Sequence, residues 1–240
     1  MSSVINYIKK LLKKMPIGLS KNHQYDIDTR KIIQKTLLND SNAIDIGCHE
    51  GEILDYFLKY APSGEHFAFE PLPHLYKSLK SKYTKKAHIY PHALSDKEGT
   101  TTFQYVKSNP AYSGIKKRKY DRPSEEIEEI TVDQTRLDEM IPEDVRIDLI
   151  KIDVEGGEYL VLSGSNRILK RDKPLLIFEH GKGGADHYGV TPEMVFDFLS
   201  GYDYTIYNLS AFLSKDKRAI DRPEFIRQFE KEEHYYFIAK

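Results

Sequence analysis

The sequence predicts an α/β fold, a mostly parallel sheet with helices on both faces. Three observations predict it. Short apolar runs alternate with helical patterns over the first two-thirds of the chain, the rhythm of strand–helix–strand units. The short runs are apolar through their length, as strands covered on both faces are. The 240 residues, 40% hydrophobic and 30% charged, suit one domain with a sizeable core.

Residues 25–38 read as a helix, with Ile27, Ile32, Ile33, Leu37 and Leu38 apolar, and Asn39–Asn42 as a turn. Ala43–Ile46 is a strand, followed by a glycine loop and a helix over 51–60. After Pro62-Ser63-Gly64 comes the strand His66–Phe69; Pro71 and Pro73 precede a helix over 74–82, and Ala87–Tyr90 is a third strand. An inserted hairpin and basic loop over about 100–132 interrupts the rhythm. Thr101–Val106 and Ile127–Val132 alternate like antiparallel strands around the polar loop Lys107–Glu126, which is long enough to expect a function of its own. The rhythm resumes with the strand Asp148–Val154, a helix over 157–170, the strand Leu175–Glu179 and a helix over 192–200. Two late strands, Tyr204–Asn208 and Tyr235–Ala239, read as separated by a charged segment rather than by another substantial helix.

This domain spans 25–240, and residues 1–24 read as an amphipathic helix and linker. Val4, Ile5, Ile8, Leu11, Leu12 and Met15 share a helical stripe from which Lys9, Lys10, Lys13 and Lys14 are excluded. Such a helix packs on its own domain or a partner, or makes a peripheral membrane contact through residues 1–15. No apolar run approaches the roughly 20 residues of a membrane-spanning helix, and a secretory signal pattern is absent. The formal net charge of −1 provides no basic field for nucleic acid. The single cysteine, Cys48, rules out an intramolecular disulfide framework and suits a cytoplasmic setting.

Ligands of such sheets bind beyond the carboxyl ends of the strands, so the residues there carry the chemistry. The first end is Asp45-Ile46-Gly47-Cys48-His49-Glu50-Gly51. Its glycines permit a sharp turn and close approach, and the following helix N-terminus suits a carboxylate such as the methionyl end of S-adenosyl-L-methionine. Asp45 would then balance that cofactor's ammonium. Glu70, 25 residues after Asp45 and just before Pro71, is placed to accept hydrogen bonds from a ribose diol. Ala93, in His92-Ala93-Leu94-Ser95-Asp96, falls where an adenine edge would reach. The fourth end carries Asp153 and Glu155, with Lys151 among Leu149, Ile150 and Ile152; a lysine so embedded needs an acidic partner. The fifth end is Glu179-His180.

These blocks together resemble the FkbM-type methyltransferases over about residues 42–181. The matching motifs are Asp45–Gly51, Phe69-Glu70-Pro71-Leu72-Pro73, Ala93–Asp96, Leu149–Gly156, Tyr159–Gly164 and Pro174–Glu179. The resemblance implies a Rossmann-like class I methyltransferase fold, with a seven-stranded, mostly parallel sheet and a C-terminal antiparallel strand. It also implies S-adenosyl-L-methionine as cofactor, held by Asp45, Gly47, Cys48, His49, Gly51, Glu70, Pro71, Ala93 and Asp153. The expected activity is methylation of a hydroxyl on a sugar, glycan or natural product. Cys48 and His49 stand where the family often has Ala and Asn, and His49 alters the grip on the methionyl end or is a solvated loop histidine. Tyr112-Ser113-Gly114 in the basic loop lies near the cleft in relatives, so Tyr112, Ser113 and Glu155 are the expected substrate contacts.

Methyl transfer to a neutral hydroxyl calls for a base as well as alignment. Asp153, Glu155, Glu179 and His180 are candidates, with His180 favoured because imidazole titrates near neutrality and Glu179 or Asp153 orienting it. Alternatively His180 only begins the Gly181–Gly184 loop, or Asp153, Glu179 and His180 hold a divalent ion. Tyr105, Lys107, Tyr112, Lys116, Lys117, Arg118 and Tyr120 could stack on sugar rings and grip an anionic group of a small-molecule or glycan acceptor, or form a solvated loop. Two rival functions stay open. One is a nicotinamide-dependent oxidoreductase, disfavoured because His49 occupies the place of the second glycine of the dinucleotide fingerprint. The other is a non-catalytic binding protein on the same fold.

Overall fold

A computed structural model describes residues 20–118 and 125–240; the amphipathic stretch 1–15 and Tyr120 lie outside them. The chain begins with α1 (Lys21–Thr36), which starts four residues before the expected 25 because the Ser20 side chain accepts from the His23 N–H and so caps it. Then follow β1 (Ala43–Ile46), α2 (Glu52–Tyr60), β2 (His66–Phe69), α3 (Pro73–Lys82) and β3 (His88–Tyr90). After the hairpin insert, α4 (Leu137–Met140), β7 (Leu149–Ile152), α5 (Glu158–Ser163), α6 (Asn166–Asp172), β8 (Leu175–Glu179) and α7 (Pro192–Gly201) continue the alternation.

The main sheet has the order β3-β2-β1-β7-β8-β10-β9. Neighbouring strands are parallel except β10 (Tyr236–Ala239), which runs antiparallel to both β8 and β9 (Ile206–Asn208). This is the expected seven-stranded α/β sheet with a C-terminal antiparallel strand.

Alternation along the strands sorts the core into two layers. Ile44, Ile46, Phe67, Phe69, Ile150, Ile152 and Phe178 face α5, α6 and α7. Ala43, Ala68, Leu149, Leu175 and Ile177 face α1, α2 and α3. Asp45 stands opposite Lys151 in the β1–β7 register, so both project to the second face, which is apolar. The packing that makes these strands fully buried also forces that acid and that lysine together.

Two expectations are corrected and one strand is added. The helix over 157–170 is two helices, broken at Gly164-Ser165, because the chain passes so close to Ser95 that a Cβ on Gly164 would lie 2.1 Å from the Ser95 carbonyl oxygen. His92–Leu94, for which no element was expected, forms a short strand, β4, in a second sheet of order β4-β6-β5 with β5 (Gly99–Val106) and β6 (Ile127–Thr135). The charged stretch before β10 contains α8 (Leu209–Leu213) and α9 (Arg222–Glu230). The signal for α9 was present: Asp221 accepts from the Glu224 N–H and Pro223 sits in the first turn, an N-terminal signature that the charge of the segment obscured.

No described helix is long and apolar enough to cross a membrane. Helix α9 is part of the core rather than an ornament, since Phe225 is fully buried with its ring 4.7 Å from that of Phe237. Phe225→Ala should cost about 3–5 kcal/mol, read as a lower midpoint in urea denaturation; a midpoint equal to wild type would contradict this placement.

Candidate active site

The carboxyl ends of β1, β2 and β7 open into two adjoining clefts. The first, of about 590 Å³, has apolar walls that include Phe69, Leu72, Ala93, Leu94, Phe103 and Ile115. The second, of about 1680 Å³, is more polar and runs from the start of α2 towards α1, with Tyr25, Asp26 and Thr29 on its far wall. Gly47, His49, Ala111, Asp153 and Glu155 border both.

The glycine loop is held against its neighbours by its own backbone. The N–H groups of Gly47 and Cys48 both donate to the Phe69 carbonyl at 3.1 Å. Gly47 has φ +75°, and a Cβ there would lie 1.8 Å from the Asp153 carbonyl oxygen, so only glycine fits. Glu70 fastens the loop from the other side, accepting from the His49 N–H at 2.9 Å and the Leu72 N–H at 3.0 Å. Burial pushes the Glu70 carboxyl up to about 7, against the pull of those two N–H groups. Glu70 and Pro71 line the first cleft beside Ala93, while Cys48, Glu50, Glu52 and Ile53 line the second with the start of α2. An apolar pocket with a carboxylate at its edge, continued by a polar trough along a helix N-terminus, matches an adenosine joined to an amino acid.

Asp45 does not reach either cleft. It is fully buried, and burial pushes its carboxyl up to about 6 against the pull of Lys151 and the Cys48 thiol. A direct grip on a cofactor ammonium is therefore withdrawn, because Asp45 is shut beneath its loop beside Lys151. The Lys151 ammonium lies 3.8 Å from Asp45 and 3.2 Å from Asp153 Oδ2. Burial alone would lower the lysine, but Asp153 and Asp45 outweigh it and hold Lys151 above its usual range. Burial likewise pushes Asp153 up, but Lys151 and the Tyr236 hydroxyl, which donates to Oδ2 at 2.5 Å, keep its carboxyl below the ordinary value.

His180 is turned away from the chemistry. Its ring is stacked between Phe225 and Phe229, with centroids 5.7 and 4.8 Å away, and only 2% of the residue is exposed. It cannot take a proton from an acceptor in either cleft, nor join Asp153 and Glu179 around an ion. Among the described residues, no three acids, histidines or cysteines are placed to hold a metal. Glu179 lies behind Asp153 rather than on the clefts; burial and the charges of Asp153, Glu155 and Glu158 push its carboxyl well above the usual range.

The described part of the basic loop folds inwards. Arg118 pairs with Glu155 at 2.5 Å and lies 4.7 Å from the centre of the Tyr112 ring, while Lys107 pairs with Glu126 and Glu128. Arg118 and Lys107 are thus engaged by acids of the chain rather than held ready for an anion. Ser113 lines the first cleft, but its hydroxyl accepts from the Val106 N–H and so shapes the loop. Tyr112 lies beneath Arg118 and does not line either cleft, whereas Glu155 borders both. Sequence reading missed Tyr236 and Tyr25, which reach the site from outside the motif-bearing segment.

The Methyltransferase FkbM domain family matches residues 45–206, more than half of the chain. The chain belongs to the FkbM methyltransferase family. Among curated relatives, it is similar to the AMB antimetabolite synthetase AmbE of Pseudomonas aeruginosa, 29% identical over 180 residues that cover 60% of this chain and 8% of that protein. It is also similar to the 2-O-methyltransferase NoeI of Sinorhizobium fredii, 26% identical over 163 residues covering 60% of this chain and 65% of that one. The chain thus spans less than two-thirds of either relative. Among solved structures, Methyltransferase FkbM from Methylobacillus flagellatus KT shares the fold, with a TM-score of 0.52 at 13% identity, covering 100% of this chain and 60% of that one. Membership of a methyltransferase family sets the nicotinamide reading aside.

This member of the family carries a histidine suited to the core. Burial pushes the His180 imidazole down from 6.5 to about 4. The folded state thus favours the neutral ring, a contribution present above 6.5 and lost as pH falls towards 4. His180→Phe should therefore lose less stability than wild type between these pH values in thermal melts, with S-adenosylhomocysteine affinity unchanged. Equal acid sensitivity would refute this placement.

Proposed function

We propose that this methyltransferase transfers a methyl group from S-adenosyl-L-methionine to a hydroxyl oxygen of a sugar, glycan or natural-product acceptor, with Asp153 as the base. The observation that carries this reading is the position of Asp153, a carboxylate kept ionised by Lys151 on the border between the apolar and polar clefts. The similarity to NoeI, a 2-O-methyltransferase, supports oxygen as the acceptor atom.

Glu70 would accept from the ribose hydroxyls, and Pro71 and Ala93 would flank the adenine in the first cleft. Gly47, Cys48, His49 and Gly51 would bring the start of α2 to the methionyl carboxylate, where N–H groups and the helix dipole favour negative charge. When bound, S-adenosylmethionine supplies a methyl on a sulfonium whose departure as a neutral thioether needs no acid. The protein's task is then alignment and removal of one proton. Asp153 takes the proton from the acceptor hydroxyl. Glu155, paired with Arg118, borders the same space and would fix a second acceptor group, with the Tyr112–Ser113 segment shaping the wall above it. The pairing of Lys107 and Arg118 with acids of the chain favours an uncharged small molecule or glycan over nucleic acid as the acceptor.

A positioned base is commonly worth about 10²–10⁴-fold. Asp153→Asn should lower transfer of labelled methyl groups to a hydroxylated acceptor by that order, while S-adenosylhomocysteine still binds in calorimetry. Wild-type turnover in the variant would exclude Asp153 as the base. Tight cofactor binding by the wild type without transfer to any acceptor in a broad sugar panel would favour a non-catalytic protein.

A further inference from the structure

Tyr236 is the first residue of β10 and pairs with Glu179, the last residue of β8. That register sets its ring at the edge of the sheet where the parallel strands end. The ring is packed from the other side by α1, whose Tyr25 ring lies 5.3 Å away at 35°. Tyr25 is itself fixed, edge-on to Tyr235 at 4.9 Å and hydrogen-bonded to His234 Nδ1 at 3.0 Å. From this seat the Tyr236 hydroxyl donates to Asp153 Oδ2 at 2.5 Å, the same oxygen that Lys151 approaches at 3.2 Å.

We propose that Tyr236 is a positioning residue, which together with Lys151 clamps one oxygen of Asp153 and presents the rest of that carboxylate to the clefts in a single orientation. The inference rests on the reading of Asp153 as the base. Two donors from different strands, β7 and β10, converge on Oδ2, so rotation of the carboxylate would break both contacts. The 26% of the Asp153 side chain that stays exposed is thereby aimed rather than mobile. The clamp also works against the acids around Asp153. Asp45 faces it from β1, Glu155 from the turn after β7 and Glu158 from the start of α5, whereas Glu179 on β8 hydrogen-bonds to Asp153 and favours its ionised form. Lys151 and, through Glu155, Arg118 are the cations of this cluster. With carboxylates on several sides the phenol stays protonated, so it acts as a donor throughout the working pH range. Neither α1 nor β10 falls within residues 45–206, so Tyr236 and the Tyr25 ring that seats it come from either side of the family core, while Lys151 comes from within it.

The test is the titration of Asp153, followed through its ¹³C-labelled carboxyl and assigned with Asp153→Asn. A hydrogen bond to a charged group is worth about 1.5–3 kcal/mol, which corresponds to about one to two pH units at the midpoint. Tyr236→Phe keeps the ring on Tyr25 and should raise the Asp153 midpoint by that amount, with S-adenosylhomocysteine affinity within about threefold of wild type. A folded variant with an unchanged midpoint overturns the proposal. A second measurement needs no change at Tyr236: its hydroxyl proton should resonate downfield in the wild type and move upfield in Asp153→Asn, and a signal identical in both proteins also overturns the proposal. Retained turnover in Asp153→Asn would instead remove the base assignment, and with it the catalytic purpose of the clamp, so the two failures are separable.

Discussion

Lys151 lies in the middle of the sheet with 7% of its surface exposed, between Asp45 on β1 and Asp153 at the end of its own strand. A buried ion pair stripped of one partner typically costs about 3–5 kcal/mol, so these three side chains must fold as a unit. Their arrangement follows from the strand register, which places Asp45 directly opposite Lys151. The site depends on this contact in two ways. It fixes the ends of β1 and β7 side by side, which brings Gly47 against the Asp153 carbonyl. It also keeps Asp153 ionised in a surrounding of acids, where burial alone would neutralise it.

The same contact divides labour among the carboxylates. Lys151 approaches Asp153 more closely than Asp45, and only Asp153 gains the Tyr236 hydroxyl. Burial therefore dominates at Asp45 and Glu179, which are pushed upwards, while at Asp153 the donors prevail. Groups whose environments drive them apart in this manner take different roles. Glu70 has a different balance again: the His49 N–H ties it to the glycine loop and the Leu72 N–H to its own turn, so the residue proposed for the ribose hydroxyls also holds that loop in place.

Much of the sheet was legible because the strands are short, apolar and punctuated by glycine and proline. Leu175–Glu179 is found as read, and Lys151 has the acidic partners that its apolar neighbours demanded. What failed were inferences of direction. Glu179 and His180 are adjacent in sequence, but alternation sends one towards Asp153 and the other into a phenylalanine stack. The two-residue period of a strand already implies that neighbouring side chains at the end of β8 do not face one cleft. Asp45 carries the family motif but points along the buried face of β1. Tyr236 and Tyr25 gave no local signal at all, since a tyrosine near a terminus is ordinary until the antiparallel register and the α1 packing bring both rings to Asp153.

The most direct measurement is a structure of the protein with S-adenosylhomocysteine bound. The geometry predicts the ribose hydroxyls at Glu70, the adenine between Pro71 and Ala93, and the sulfur at the border of the two clefts, facing Asp153. A sulfur far from Asp153, or an adenosine lodged in the polar cleft near α1, would contradict the reading of Asp153 as the residue that works at the reacting atoms.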